Sequence, residues 1–295
     1  MFCAKRKLLH ITSILFAVLL FAMNPGESYS APTEAEFNTI LDLSGRQRML
    51  SQKMAKEALL ILKGVDAAKN GESLKQTMAL FEKTQQGLIS GDAALGLPAS
   101  GYSRINRDLE ELNKTYAEVK AIYQTIVDGG KPSDEQMKSL EVLSEEVLVK
   151  ANKIVGLFEL EAKAVIGVKG DQELATLINI AGRQRMLSQK MIKEFLLISL
   201  SASGDSNANK LTATITLFET SLKGLKEGSP AMGIPTGAKD PEILTQLNAV
   251  EKIWGDLKPL LAAKDAGVDA LAKTDSLSLE LLKESNKAVQ MLAKK

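Results

Sequence analysis

Nine residues of this chain occur twice. Arg46-Gln47-Arg48-Met49-Leu50-Ser51-Gln52-Lys53-Met54 returns letter for letter as Arg183 to Met191, 137 positions later. Comparing residues 44–61 with 181–198, 15 of 18 positions are identical. A packing helix keeps its apolar pattern while exchanging Leu, Ile and Met. Packing alone gives no reason to repeat two arginines, two glutamines, a serine and a lysine in order. The repeat therefore constrains the fold to two copies of one unit, and its polar residues are the first candidates for function.

The rest of the chain follows the same spacing. Phe81-Glu82 returns as Phe218-Glu219 and Pro98 as Pro235, each 137 positions on, while Ser144 and Asn152 return as Ser278 and Asn286 after 134. Gly and Pro cluster at a few places and leave long stretches with helical apolar spacing. Helices are predicted over about 34–63, 72–89, 104–127 and 133–166, then over about 172–201, 207–226 and 240–263, with a last one to follow. Ser133 and Gln136 have capping-box spacing at the start of the fourth. Residues 91–103 and 228–239 read as twin loops. The expected fold class is all-α: two tandem four-helix up-down bundles related by internal duplication, over 31–168 and 169–295. A period this long marks a duplicated domain, not a solenoid repeat.

Residues 1–30 read as a secretory signal peptide. Lys5, Arg6 and Lys7 precede an apolar core at 11–23, Pro25-Gly26 breaks it, and Ser28-Tyr29-Ser30 suits cleavage before Ala31. The expected location is periplasmic or secreted. Cys3 and His10, the one cysteine and the one histidine, fall in this segment. The mature chain then has no thiol or imidazole, which excludes disulfides, Cys/His metal sites and nucleophile–histidine catalysis. Met49, Met54, Met186 and Met191 are core residues rather than a copper box. A net charge of +1 offers no broad basic surface to nucleic acid, and 4% aromatics argue against a stacking platform. No paired carboxylates or phosphate loop stand out, so an enzyme is the weakest reading and no cofactor is expected.

Wound at 100° per residue, the motif helix carries two faces. Ile40, Leu43, Leu50, Met54, Ala58 and Ile61 form a core stripe, with Arg46, Lys53 and Glu57 at its edge. Roughly opposite, Leu41, Ala55 and Leu59 form a second stripe into which Arg48, Gln52 and Gly45 are set. A face meeting water would be uniformly polar, so this one is expected to meet another helix, domain or chain. An arginine there needs a counter-charge from elsewhere in the fold or from a bound anion. Six arginines follow residue 30, and four are in the motif copies. The guanidinium fork suits flat oxyanions. Arg48 and Arg185, brought together about a pseudo-twofold axis, would hold one.

At Asn179-Ile180-Ala181-Gly182-Arg183-Gln184-Arg185-Met186-Leu187-Ser188-Gln189 the sequence resembles PilJ-type domains, the N-terminal domains of type IV pili methyl-accepting chemotaxis transducers. That family is similar to the input domains of NarX-type nitrate/nitrite sensors, in which dimerising four-helix bundles hold nitrate between subunits through an arginine of the first helix. The resemblance assigns that role to Arg185 and, by repeat, to Arg48, with a second basic position at Lys190 and Lys53. Here both motif helices lie in one chain rather than in two subunits.

The candidate ligand-binding set is therefore Arg48, Arg185, Gln52, Gln189, Gly45, Gly182, Arg46, Arg183, Lys53 and Lys190. Each has a plainer reading. Arg48 and Arg185 can be structural ion pairs, Arg46, Arg183, Lys53 and Lys190 a solvated edge paired with Glu57 and Glu194, and Gln52 and Gln189 packing residues. Two functions follow. One is an exported sensory protein that binds a small inorganic anion or small carboxylate, nitrate or nitrite by resemblance. The other is a ligand-free module docking on a membrane chemoreceptor or pilus-associated protein, or forming a homodimer.

Overall fold

In the computed structural model, residues 31–166, 172–200, 204–263 and 266–295 are described. The expected signal segment and the expected boundary at 168/169 lie outside them. Within this range the chain forms eight α-helices, α1 (Glu34–Leu62), α2 (Ala67–Ser90), α3 (Ser103–Val127), α4 (Asp134–Ile166), α5 (Gln172–Leu200), α6 (Gly204–Glu227), α7 (Pro241–Ala263) and α8 (Val268–Leu292). The all-α expectation holds, and α1–α4 and α5–α8 are two copies of one four-helix bundle. Among the described residues the extended structure is limited to two isolated antiparallel bridges, Asp92–Leu97 and Ser229–Ile234, which are themselves 137 positions apart.

Local chemistry sets the helix ends. Thr33 caps α1 in a capping box: Glu36 N donates to Thr33 Oγ1 at 3.3 Å, and Thr33 N donates to Glu36 Oε2 at 2.7 Å. Ser133 and Gln136 exchange the same two bonds at the start of α4, at 2.9 and 3.2 Å. Gly64, at φ +73°, takes the left-handed conformation just past the end of α1. The twin loops turn at Gly91 and Gly228, where a Cβ would lie 2.7 Å from Ala99 N and 2.4 Å from Pro235 O. Their tips come down near the first turns of the motif helices, Gly96 beside Thr39 and Gly233 beside Thr176. Pro259 lies inside α7.

Each motif helix is the centre of its bundle, with α1 against α2 and α4 and α5 against α6 and α8. The repeated glutamines stitch these contacts. Gln47 and Gln184 donate to the Phe81 and Phe218 carbonyls at 3.0 and 3.3 Å. Gln52 and Gln189 donate to the Ser144 and Ser278 carbonyls at 3.1 and 3.3 Å. The remaining side of α1 is covered by α5, the most extensive helix–helix contact in the fold. Leu41, Ala55 and Leu59 are buried there, which explains why α1 has two apolar stripes.

The two motif helices run parallel. An up-down-up-down bundle returns the chain to its starting end, so α5 sets off in the direction of α1. The contacts agree: Lys56 of α1 and Gln189 of α5 both reach Ser278 of α8. Parallel packing puts equal positions of the two repeats at equal heights, and Gly45 faces Gly182.

Candidate functional site

The site is built where α1 meets α5 at these two glycines. A Cβ on Gly45 would lie 3.1 Å from Arg48 Nη2 and 3.7 Å from Arg185 Nη2. One on Gly182 would lie 3.3 Å from Arg185 Nη2 and 3.6 Å from Arg48 Nη2. Long helical side chains lean toward the N-terminus. Each arginine therefore drops back one turn into the space left by both glycines, and the two guanidinium groups share one pocket of the interface. Both side chains are buried, at 3% and 1% exposure.

Their partners differ. Arg185 Nη1 is ion-paired with Asp42 Oδ1 at 2.8 Å and donates to Asn286 Oδ1 at 3.0 Å. Arg48 Nη2 donates to Asn179 Oδ1 at 2.8 Å, and Arg48 Nε reaches the Gly45 carbonyl at 3.4 Å. Asp42 and Asn179 are the same position of the two repeats, 137 apart. Each arginine thus reaches the same place on the opposite helix, finding a carboxylate in one case and a neutral amide in the other. Among the described residues Arg48 makes no ion pair. Arg185 Nε is buried without a hydrogen-bond partner among them.

Electrostatics follow from that inequality. Burial, then repulsion from Arg183 and Arg185, lower the Arg48 guanidinium to about 9, with Glu159 of α4 pulling the other way. Arg48 therefore remains charged at neutral pH. Burial also lowers Arg185, against the pull of Asp42. Glu159 is raised by burial, opposed by Arg48, Lys163 and Arg183. The four motif arginines thus gather around Asp42 and Glu159, and cationic charge exceeds anionic.

Sequence comparison supplies the context of this geometry. The family described as "Type IV pili methyl-accepting chemotaxis transducer N-term", PilJ, matches residues 37–136 and again 169–279. Together the two matches span most of the chain, and each contains one copy of the arginine motif. The chain belongs to the PilJ family. It is also 40% identical over 119 residues to the methyl-accepting chemotaxis protein McpN of Pseudomonas aeruginosa, a match covering 39% of this chain and 22% of that protein's length. The two PilJ segments of this chain pack their motif helices against each other.

The other candidate residues are distributed around the PilJ crossing. Arg46 is at its edge, bonded to Asp42 Oδ2 at 3.1 Å, so Asp42 serves arginines of both repeats. Arg183 has Asn179 at the equivalent position and is half-buried near Arg48. Gln52 and Gln189 are fully buried in the stitching bonds to α4 and α8, about one turn further along. Lys53 bonds Glu57, Ser73 and Thr77 between α1 and α2, at 2.9 Å to each hydroxyl. Lys190 grips both oxygens of Glu145 at 2.8 and 2.6 Å and reaches Glu194 at 3.1 Å. Neither lysine is brought to the glycine crossing.

Several residues of this interface escape a reading of the motif alone. Asp42, Asn179, Asn286 and Glu159 sit outside it, and Asp42 against Asn179 is a difference between repeats, visible on aligning them at 137. Lys56 and Lys193 lie inside the repeated window and are among the most deeply buried charges of the fold. Lys56 pairs with Asp275 of α8 at 2.6 Å and Lys193 with Glu145 of α4 at 3.0 Å. Each bond runs from a motif helix to the other repeat and ties the bundles together. Their signal was an identical lysine beside the glycine stripe of each copy.

Proposed function

We propose that this chain is an exported, periplasmic sensory protein that binds one small planar anion at the α1–α5 crossing and passes the resulting change to a chemoreceptor or pilus-associated partner. The resemblance to nitrate/nitrite sensor input domains makes nitrate and nitrite the first ligands to test. The observation that carries the reading is the buried Arg48 guanidinium beside Arg185, with neutral acceptors as its direct partners. An unpaired buried charge costs several kcal/mol, and an anion bridging the two guanidiniums would relieve that cost through charge-assisted hydrogen bonds. Because α1 and α5 come from different repeats, a ligand bound at their crossing would bias how the two bundles sit against each other. Among the described residues no helix is long and apolar enough to cross a membrane.

Calorimetric titration with nitrate, nitrite and small carboxylates at constant ionic strength tests the proposal. Saturable binding of at least one anion, lost in Arg48→Ala, is the expected result, with melting temperature rising as the ligand saturates. No binding by any of the panel removes it.

A second reading, a docking module without a small ligand, has its own supporting observation. Val142, Val149 and Leu160 line one outer face of α4 and are exposed, whereas the equivalent positions of the second repeat are Ser276 and Lys283 of α8 and Lys294 just past its end. A pull-down that depends on this row and is indifferent to anions would favour that reading.

A further inference from the structure

Asp42 and Asn179 occupy one position of the repeat, and each meets the arginine of the opposite motif helix. In one half of the crossing the acceptor is an anion covalently part of the chain. In the other it is an isosteric neutral amide. Resting on the anion-binding reading above, we infer that Asp42 is a built-in counter-ion which neutralises one of the two crossing guanidiniums, so that the crossing takes a single monovalent oxyanion.

The charge inventory supports this. Arg48 and Arg185 bring two positive charges, and Asp42 removes one of them at 2.8 Å from Arg185 Nη1. Arg46 shares Asp42 from the rim at 3.1 Å, and from outside the crossing Arg183 and Glu159 act on Arg48 with opposite signs. Of the two guanidiniums buried at the glycines, one is left without a carboxylate in direct contact. A divalent anion would overshoot its single charge, and a neutral ligand would not answer it. Donors remain on both arginines: the Arg48 fork is engaged by a side-chain amide oxygen rather than a carboxylate, and Arg185 Nε is buried with no acceptor among the described residues. Gly182 and Gly45 leave the room in which the two guanidiniums lie side by side. A crossing with Asn at both positions would present two guanidiniums without a carboxylate and would tolerate an anion of higher charge. A crossing with Asp at both would be saturated by the chain itself.

The reciprocal exchanges Asp42→Asn and Asn179→Asp test this, each near-isosteric and checked for native helicity. Wild type, the two variants and nitrate or sulfate as probes are compared by calorimetry and thermal melting at fixed ionic strength. Wild type is expected to bind one nitrate per chain and to discriminate against sulfate. Asn179→Asp is expected to lose nitrate affinity by about tenfold or more while melting higher than wild type without ligand, because the added carboxylate replaces the ligand. Asp42→Asn is expected to gain sulfate affinity by about tenfold. If wild type binds nitrate and Asn179→Asp binds it within about twofold of wild type, the counter-ion assignment is overturned while the anion site stands. Two nitrates per wild-type chain overturn it as well. If no anion binds wild type or either variant, the anion site itself is refuted and the inference falls with it. Should Asp42→Asn not fold, Asn179→Asp alone decides.

Discussion

Glu82 and Glu219 stand 137 positions apart, and each accepts a hydrogen bond from an aromatic side chain of its own bundle. The donor is Tyr116 Oη at 2.8 Å in the first repeat and Trp254 Nε1 at 2.9 Å in the second. The ring beneath it packs on Phe81 in one case and Phe218 in the other, and Lys120 or Lys258 closes the cluster on the same carboxylate. Here the residue changes and the interaction is kept. At the α1–α5 crossing the opposite holds. The arginines are identical, while Asp42 on one side is answered by Asn179 on the other. A packing contact tolerates any residue that fills the volume and supplies the bond. A charge site changes character with one atom, because oxygen against amide nitrogen is a full unit of charge in a buried place.

The buried lysines sharpen that contrast most. Lys56 depends on Asp275, itself nearly buried, whereas Lys193 depends on Glu145, whose side chain is 37% exposed. Asp275→Ala strands a buried ammonium and is expected to cost about 3–5 kcal/mol in urea denaturation. Glu145→Ala is expected to cost clearly less, since water screens that pair. Glu145 also has a pH signature. Burial works against its ionisation, but Lys193 and Lys190 outweigh it and bring it from 4.5 to about 2. A depressed carboxylate contributes stability above its unfolded value that is lost as pH falls through the folded one. Stability should therefore decline between about pH 4.5 and 2, and Glu145→Gln should flatten that part of the profile. Equal costs for the two alanine variants would show that the bundles are tied symmetrically after all.

Next in size are the arginines themselves. Arg185→Met removes one member of an ion pair and leaves Asp42 with Arg46, so a loss of about 3 kcal/mol is expected. Arg48→Met removes a charge that has no direct counter-ion, and its stability should stay within about 1 kcal/mol of wild type without ligand. Melting curves of the two variants in ligand-free buffer check this, and equal losses would deny the inequality between the two halves.

Smallest is the aromatic pair. Tyr116→Phe and Trp254→Phe each delete a hydrogen bond to a carboxylate in a partly exposed cluster. The bond accounts for about 1 kcal/mol in either repeat, and the larger ring adds packing loss for Trp254→Phe. A Tyr116→Phe effect near zero would mean that the lysine, not the aromatic donor, holds Glu82.

Much of this architecture was legible without coordinates. The 137-residue spacing specified two copies of one unit, Ser133 sits where the cap of α4 forms, and the glycine of each loop stands at its turn. The second apolar stripe of α1 announced a contact, because Leu41, Ala55 and Leu59 have no reason to repeat on a wet face. Its occupant was open, since an apolar surface is satisfied equally by a neighbouring helix, another domain or another chain. Lys53 and Lys190 illustrate the limit differently. They carry the same letter in the same motif, yet one bonds within its own bundle and the other reaches Glu145 across the boundary. Electrostatic partners are set by distances of a few ångströms between segments far apart in sequence.

The amino-acid order alone determined the duplication, the helical class and the placing of an arginine and a glycine on the same side of each motif helix, because helix periodicity is a local property of the backbone. Tertiary structure decided that α1 and α5 lie parallel with Gly45 opposite Gly182, and that Arg185 meets Asp42 while Arg48 meets Asn179. Those pairings are long-range, and a buried charge acquires its meaning only from what the fold puts within reach of it.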